Sequence, residues 1–314
     1  MRNMFDEIRS NQRKSMLVLI GFFLFSSLIF AIATYLIAGV ASNFNTEQTL
    51  SNFYFYYPIS IMVIVGYLLY FLSKGDKMIL SATGAHEVSR KNYPHLFHTV
   101  EGLSIAAGLK AVPKCYVIND TALNAYATGF KPEKSHIVVT TGLMEKLNRQ
   151  ELEGVVAHEL AHIKNQDIKL MLYVAGLLGV FTLLGTVFYY IAITRSSSRD
   201  DGKFKAIALM LWLLFAVIAP FFTLLFKLAM SRKREYLADA SGAMFTRYPA
   251  GLASALEKIK GDPDPLVDHA NKATAHLFIN NPFRRKKTKA GKFWSNLFST
   301  HPPIDDRISR LRAM

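Results

Sequence analysis

The sequence predicts a membrane α+β protein, in which four hydrophobic helices accompany a cytoplasmic, mostly helical part with a small antiparallel sheet. Three observations predict it. Of the 314 residues 51% are hydrophobic, a high share for a water-soluble chain. Four stretches lack any Lys, Arg, Asp or Glu: Lys14 to Glu47, Glu47 to Lys74, Lys169 to Arg195 and Lys205 to Lys227. Each holds roughly 20 apolar residues, enough to cross a hydrocarbon core. The segments between and after them carry short helical and strand periodicities typical of a folded polar domain.

The spans run at about Met16 to Val40, Tyr54 to Leu72, Leu170 to Ile193 and Ala206 to Phe226. The first is too long for the 7 to 15 apolar residues of a signal peptide, so it is expected to stay. Arg2, Arg9, Arg13 and Lys14 precede it, and the loop from Ala41 to Phe53 has no Lys or Arg, which places the N-terminus in the cytoplasm. Parity then puts 74–169 and 227–314 on the same side. The loop between spans three and four carries Arg195, Arg199, Lys203 and Lys205 and disagrees with that parity. The expected organisation is therefore 1–73, 74–169, 170–226 and 227–314.

Within 74–169, Leu96, Phe97, Val100, Leu103 and Ile105 have helical spacing and Gly108 is placed to end that helix. Strands are expected at Cys115 to Asn119, Leu123 to Thr128 and His136 to Thr140, separated by turn residues as in an antiparallel meander. A helix follows in "NRQELEGVVAHELAHIKNQD" and is expected to run unbroken into the third span. The net charge of +14 comes with no nucleic-acid module and suits loops beside an anionic leaflet. The cluster from Arg284 to Lys292, with Phe293 and Trp294 after it, fits lipid headgroups or a solvated loop. A single cysteine, Cys115, excludes an intrachain disulfide and a cysteine-based metal cluster.

His158 and His162 lie four apart on the expected helix, so both rings project from one face and can grip one ion, with Glu159 between them within reach of an attacking water. Zinc catalysis needs a third protein ligand. After the fourth span, Glu235 and Asp239 in "SRKREYLADASGA" share a helix face; Glu235 is the candidate third ligand, and Asp239 the candidate acceptor of the other ring N–H of His158. A scaffold with a purely structural ion is disfavoured, because such sites are normally four-coordinate. A transporter is disfavoured by the charge-free span interiors.

"SATGAHEVSR" (Ser81 to Arg90), "NAYATG" (Asn124 to Gly129), "TTGLMEKLNRQELEGVVAHELAHIKNQD" (Thr140 to Asp167), "SRKREYLADASGA" (Ser231 to Ala243) and "STHPPIDDRI" (Ser299 to Ile308), in this order, resemble the HtpX-type membrane zinc metalloproteases, gluzincins related to the CAAX-prenyl endopeptidases. The resemblance covers nearly the whole chain. It implies a multi-pass endopeptidase of the bacterial inner membrane, with termini and active site cytoplasmic, associated with heat shock and with the removal of misfolded membrane proteins. It implies one Zn²⁺ held by His158, His162 and Glu235, with Glu159 as general base. An edge strand there pairs with the substrate backbone, which assigns substrate contacts to Asn124, Ala125, Tyr126, Ala127 and Thr128. His301 and Arg307 are candidate donors to the oxyanion, because the family places an HP-containing segment near its site. Membrane-protein and unfolded polypeptide substrates and the lipid bilayer are the expected partners, with no nucleic acid. Prenyl-peptide processing stays open as an alternative, and the sequence leaves the oligomeric state unassigned.

Overall fold

The structure is a computed structural model that describes residues 4–194, 202, 205–217, 232–262, 277–279 and 302–314. It divides into two units, one drawn from Met1–Lys14, Asp76–Ala175 and Leu224–Met314, the other from Ser15–Gly75 and Gly176–Thr223.

The second unit is helical. It draws on α1 (Met4–Ala41), α2 (Thr46–Ala82), α6 (Asp167–Thr194) and α7 (Lys205–Val217). Phe181 is its centre, packed with Ile29 and Ala33 of α1 and with Leu211 and Phe215 of α7. The Ser27 and Tyr57 hydroxyls share a 2.6 Å hydrogen bond between α1 and α2. Two helical stretches, Phe23–Ala41 and Thr46–Ala82, are long and apolar enough to cross a membrane. The expected third span lies within α6, and α7 covers the start of the fourth; Pro220 and the rest of that span lie outside the described residues.

The first unit holds a four-stranded sheet and a set of short helices. The strands are β1 (His86–Glu87), β2 (Lys114–Ile118), β3 (Ala125–Thr128) and β4 (His136–Thr140). Their order is β1-β2-β4-β3, with β2 and β4 parallel and β3 antiparallel to β4. The sheet is therefore mixed, where an antiparallel meander was expected. All five residues of β4 are buried, whereas β2 begins on an exposed lysine. β4 lies between β2 and β3 and β3 takes an edge, although β3 is as fully buried as β4.

Helix α3 (Pro94–Ala107) ends as its sequence indicates: Gly108 takes a left-handed φ of 67° and its N–H returns to the Ile105 and Ser104 carbonyls. A short α4 (Thr141–Lys146) leads to α5 (Arg149–Lys164), which starts with a capping box in which Asn148 and Glu151 each bond the other's backbone N–H. α5 packs against α3, α8 (Arg232–Thr246), α9 (Pro249–Gly261) and β3. Two glycines permit this closeness. A Cβ on Gly154 would lie 2.6 Å from the Leu252 nitrogen of α9, and one on Gly242 of α8 would lie 3.1 Å from the His158 nitrogen. A final helix, α10 (Ile304–Arg312), packs on α9 and α8.

The expected unbroken run from the histidine helix into the third span is broken. α5 ends at Lys164, Gln166 adopts φ 59°, and α6 begins at Asp167. A glutamine in the left-handed region carries a steric cost that an ordinary helical residue avoids, and the break redirects Asp167.

Candidate metal centre

Helical spacing puts His158 and His162 on one face of α5, and the Gly242 crossing brings α8 against that face. As a result His158, His162 and Glu235 converge, with one ligand atom from each lying within 4.8 Å of the others. The two Nε2 atoms are 3.2 Å apart, and the Glu235 carboxylate oxygens lie 3.8 Å from His158 Nε2 and 3.6 Å from His162 Nε2. A tetrahedral ion with bonds of about 2.1 Å sets its ligand atoms roughly 3.4 Å apart, so these spacings bracket what such an ion requires.

The remaining ring nitrogens strengthen the fit. His158 Nδ1 lies 3.0 Å from Asp239 Oδ1, and His162 Nδ1 lies 3.1 Å from Asp167 Oδ2. Each Nδ1 therefore carries the proton and donates it to a carboxylate, which turns both Nε2 lone pairs toward one another and toward Glu235. All three groups are buried. Such a cluster calls for a cation, since buried anions and lone pairs in contact are costly.

The proton affinities follow from the same arrangement. Burial and the Arg307 guanidinium push the His158 pKa down, against the pull of Asp239. Burial also works to lower that of His162, but its hydrogen bond to Asp167 and the charges of Glu235 and Glu159 outweigh it and raise the pKa to about 9. Without metal, His162 is then the group that carries the compensating positive charge.

Glu159 is buried beside the cluster on α5. Arg307, expected as an oxyanion donor, is fully buried and grips Asp239 with two hydrogen bonds, Nε to Oδ2 at 2.9 Å and Nη2 to Oδ1 at 2.7 Å. Its Nη2 also lies 3.4 Å from both ring nitrogens of His158. Its Nη1 has no hydrogen-bond partner among the described residues. His301, the other expected donor, lies outside the described residues.

The five expected substrate contacts, Asn124, Ala125, Tyr126, Ala127 and Thr128, are all buried. Tyr126 bonds the Thr83 hydroxyl at 2.6 Å and its ring packs edge-on against Phe278. What the strand can present is therefore backbone. The Asn124 carbonyl accepts from Thr140 N–H of β4's end, and the Ala125 carbonyl accepts from Ile279 N–H at 3.0 Å. By strand alternation, Ala125 and Ala127 turn their backbone groups away from β4, and the chain itself occupies the first of them.

Two residues were missed in the sequence. Asp167 supports His162, and Arg234 lies 3.4 Å from Asp167 Oδ1. Arg234 directly precedes Glu235 and could have been noticed as a cation buried beside a ligand; Asp167 had no usable signal, because five residues along an unbroken helix is the wrong face.

The model of peptidase family M48 matches residues 90–314. Among curated proteins, a protease HtpX homolog of Dictyoglomus turgidum is 42% identical, covering 99% of this chain and 94% of the relative. One from Ligilactobacillus salivarius is 37% identical over 99% of this chain and 100% of its own length, and one from Tropheryma whipplei is 42% identical over 81% and 84%. The crystal structure of Ste24p from S. mikatae overlays with a TM-score of 0.46 at 19% identity, covering 95% of this chain and 66% of that one. The family match takes in the helix of both histidines and the helix of Glu235 alike; the chain belongs to peptidase family M48 and is a metalloprotease.

Proposed function

We propose that this metalloprotease is a zinc-dependent integral-membrane endopeptidase that hydrolyses peptide bonds in misfolded or damaged membrane proteins at the cytoplasmic face of the bacterial inner membrane. The observation that carries the reading is the convergence of His158, His162 and Glu235 with both Nδ1 atoms on carboxylates. That donor set, His₂Glu with a glutamate between the histidines, is the set of catalytic rather than structural zinc. When bound there, zinc would supply Lewis acidity to a water and to the scissile carbonyl.

The chain's own residues do the rest. Glu159 accepts the proton of the attacking water and returns it to the leaving amine. Arg307, held by Asp239 with Nη1 uncommitted among the described residues, is the donor available to the developing oxyanion, with His301 the second candidate. The substrate lies extended along β3, meeting the outward-facing amide and carbonyl of Ala127. Recognition through backbone reads little sequence, as suits a protease whose substrates are damaged rather than defined.

The topology supports the location. Four charge-free stretches, two of them in helices of spanning length, and the cations flanking the first support a cytoplasmic side for 1–14, 74–169 and 227–314. The test is proteolysis of an unfolded membrane-protein reporter by the purified chain, with zinc removed and restored. Activity that disappears with chelation and returns with zinc is expected; activity indifferent to chelation contradicts the reading.

A further inference from the structure

The two histidines are backed by matching pairs of side chains. Behind His158 stand Asp239 and then Arg307; behind His162 stand Asp167 and then Arg234. The arms are built differently. Asp239 comes from α8, and Arg307 holds it with both ends of the guanidinium at 2.9 and 2.7 Å. Asp167 is the residue that opens α6, and Arg234 Nη1 lies 3.4 Å from its Oδ1.

The second arm exists because of the backbone. In an unbroken helix a residue five positions beyond His162 sits about 140° around the axis, out of reach of its ring. Here α5 stops, Gln166 takes φ 59°, and Asp167 swings back to 3.1 Å from His162 Nδ1. A glutamine held in a region that L residues rarely adopt is over-determined by its surroundings, and what the turn achieves locally is this contact. Arg234 is adjacent in sequence to Glu235, so Asp167 touches one histidine of α5 and the residue next to the glutamate of α8. All of these groups are buried.

We propose that Asp167 and Arg234 are positioning residues of the metal centre. Asp167 fixes the His162 ring and its tautomer. Arg234 fixes Asp167, and so ties the His162 side of the cluster to the helix that carries Glu235. The proposal rests on reading His158, His162 and Glu235 as the ligand set.

The test is zinc affinity, measured on the purified full-length chain in detergent by competition with a chromophoric chelator. Asp167→Ala is expected to bind zinc 10- to 100-fold more weakly. Asp167→Asn, whose amide oxygen still accepts from Nδ1–H, should lose less, which separates loss of the hydrogen bond from misfolding. Arg234→Met should weaken binding less than Asp167→Ala. Because Arg234 acts through Asp167, the double variant should bind no more weakly than Asp167→Ala alone. Wild-type affinity in Asp167→Ala overturns the proposal, as do fully additive losses in the double variant. If His158→Ala and Glu235→Ala also leave affinity unchanged, the ligand set itself is wrong; if those two lose zinc while Asp167→Ala keeps it, the positioning role alone falls.

Discussion

Helices α5 and α2 are built for opposite surroundings. α5 buries two histidines and two glutamates within sixteen residues, and His158, His162 and Glu151 each face a polar or charged partner. α2, at 37 residues, leaves Tyr54 71%, Met62 65% and Leu69 63% exposed. Polar groups are tolerable inside the first unit because they are paired. Large apolar groups are tolerable on the outside of the second only if what surrounds α2 is not water: exposed to water, each such side chain forgoes about 1.5–3 kcal/mol. α2 carries no charge between Glu47 and Lys74, whereas the interior of the first unit holds the charged groups around His158, His162 and Glu235.

The largest expected effect removes that charge from the cluster. Glu235→Ala leaves two histidines, too few protein ligands to retain the ion tightly, and metal analysis of the purified variant should find the zinc gone and proteolysis at background. Next comes Arg307→Leu. It removes two hydrogen bonds and the paired charge from the buried Asp239 carboxylate, whose pKa Arg307 and His158 hold far below the usual range although burial alone would raise it. Breaking a buried pair in this way costs about 3–5 kcal/mol, readable as a lower melting temperature of the metal-free protein.

A matched pair tests the contrast between the units directly. Leu69→Arg in α2 and Ile105→Arg in α3 both place a cation at an exposed apolar position. The first should cost about 2.5–3.5 kcal/mol of membrane insertion; the second should stay within about 0.5 kcal/mol in stability. Equal tolerance of both would mean that α2 faces water. Acidification is expected to act more gently. Glu151 is held below the usual carboxylate pKa, because its bonds to Lys258, Ser254 and the Asn148 amide outweigh a burial that works to raise it. A depressed pKa contributes stability that is present above the unfolded value and lost as pH falls through the folded one. Thermal melts of Glu151→Gln should therefore depend less on pH in the acid range than those of the parent.

Much of this was legible in the sequence, and what was not has physical reasons. The end of α3 at Gly108 and the shared face of His158 and His162 follow from local rules of turn and spacing, and the approach of Asp239 to His158 was expected from the need of a ligand histidine for an acceptor. The order of the strands does not, since alternation tells which face is buried but not which neighbour is beside it; β4 between β2 and β3 is a tertiary outcome. The contact of Asp167 with His162 depends on a left-handed glutamine that no propensity favours. The partnership of Arg307 with Asp239 joins residues 68 positions apart, a closure that the packing of α10 against α8 and α9 brings about.

We propose that α5 supplies both grip and chemistry: His158 and His162 would hold the ion, and Glu159 between them would move the proton. Glu159→Gln separates the two. Zinc content and the rate of cleavage of an unfolded reporter, measured on one preparation, should show the metal retained near one per chain and the rate lower by roughly 10²–10⁴-fold. A variant that binds zinc and still cleaves at the parent rate would show that Glu159 is not the general base.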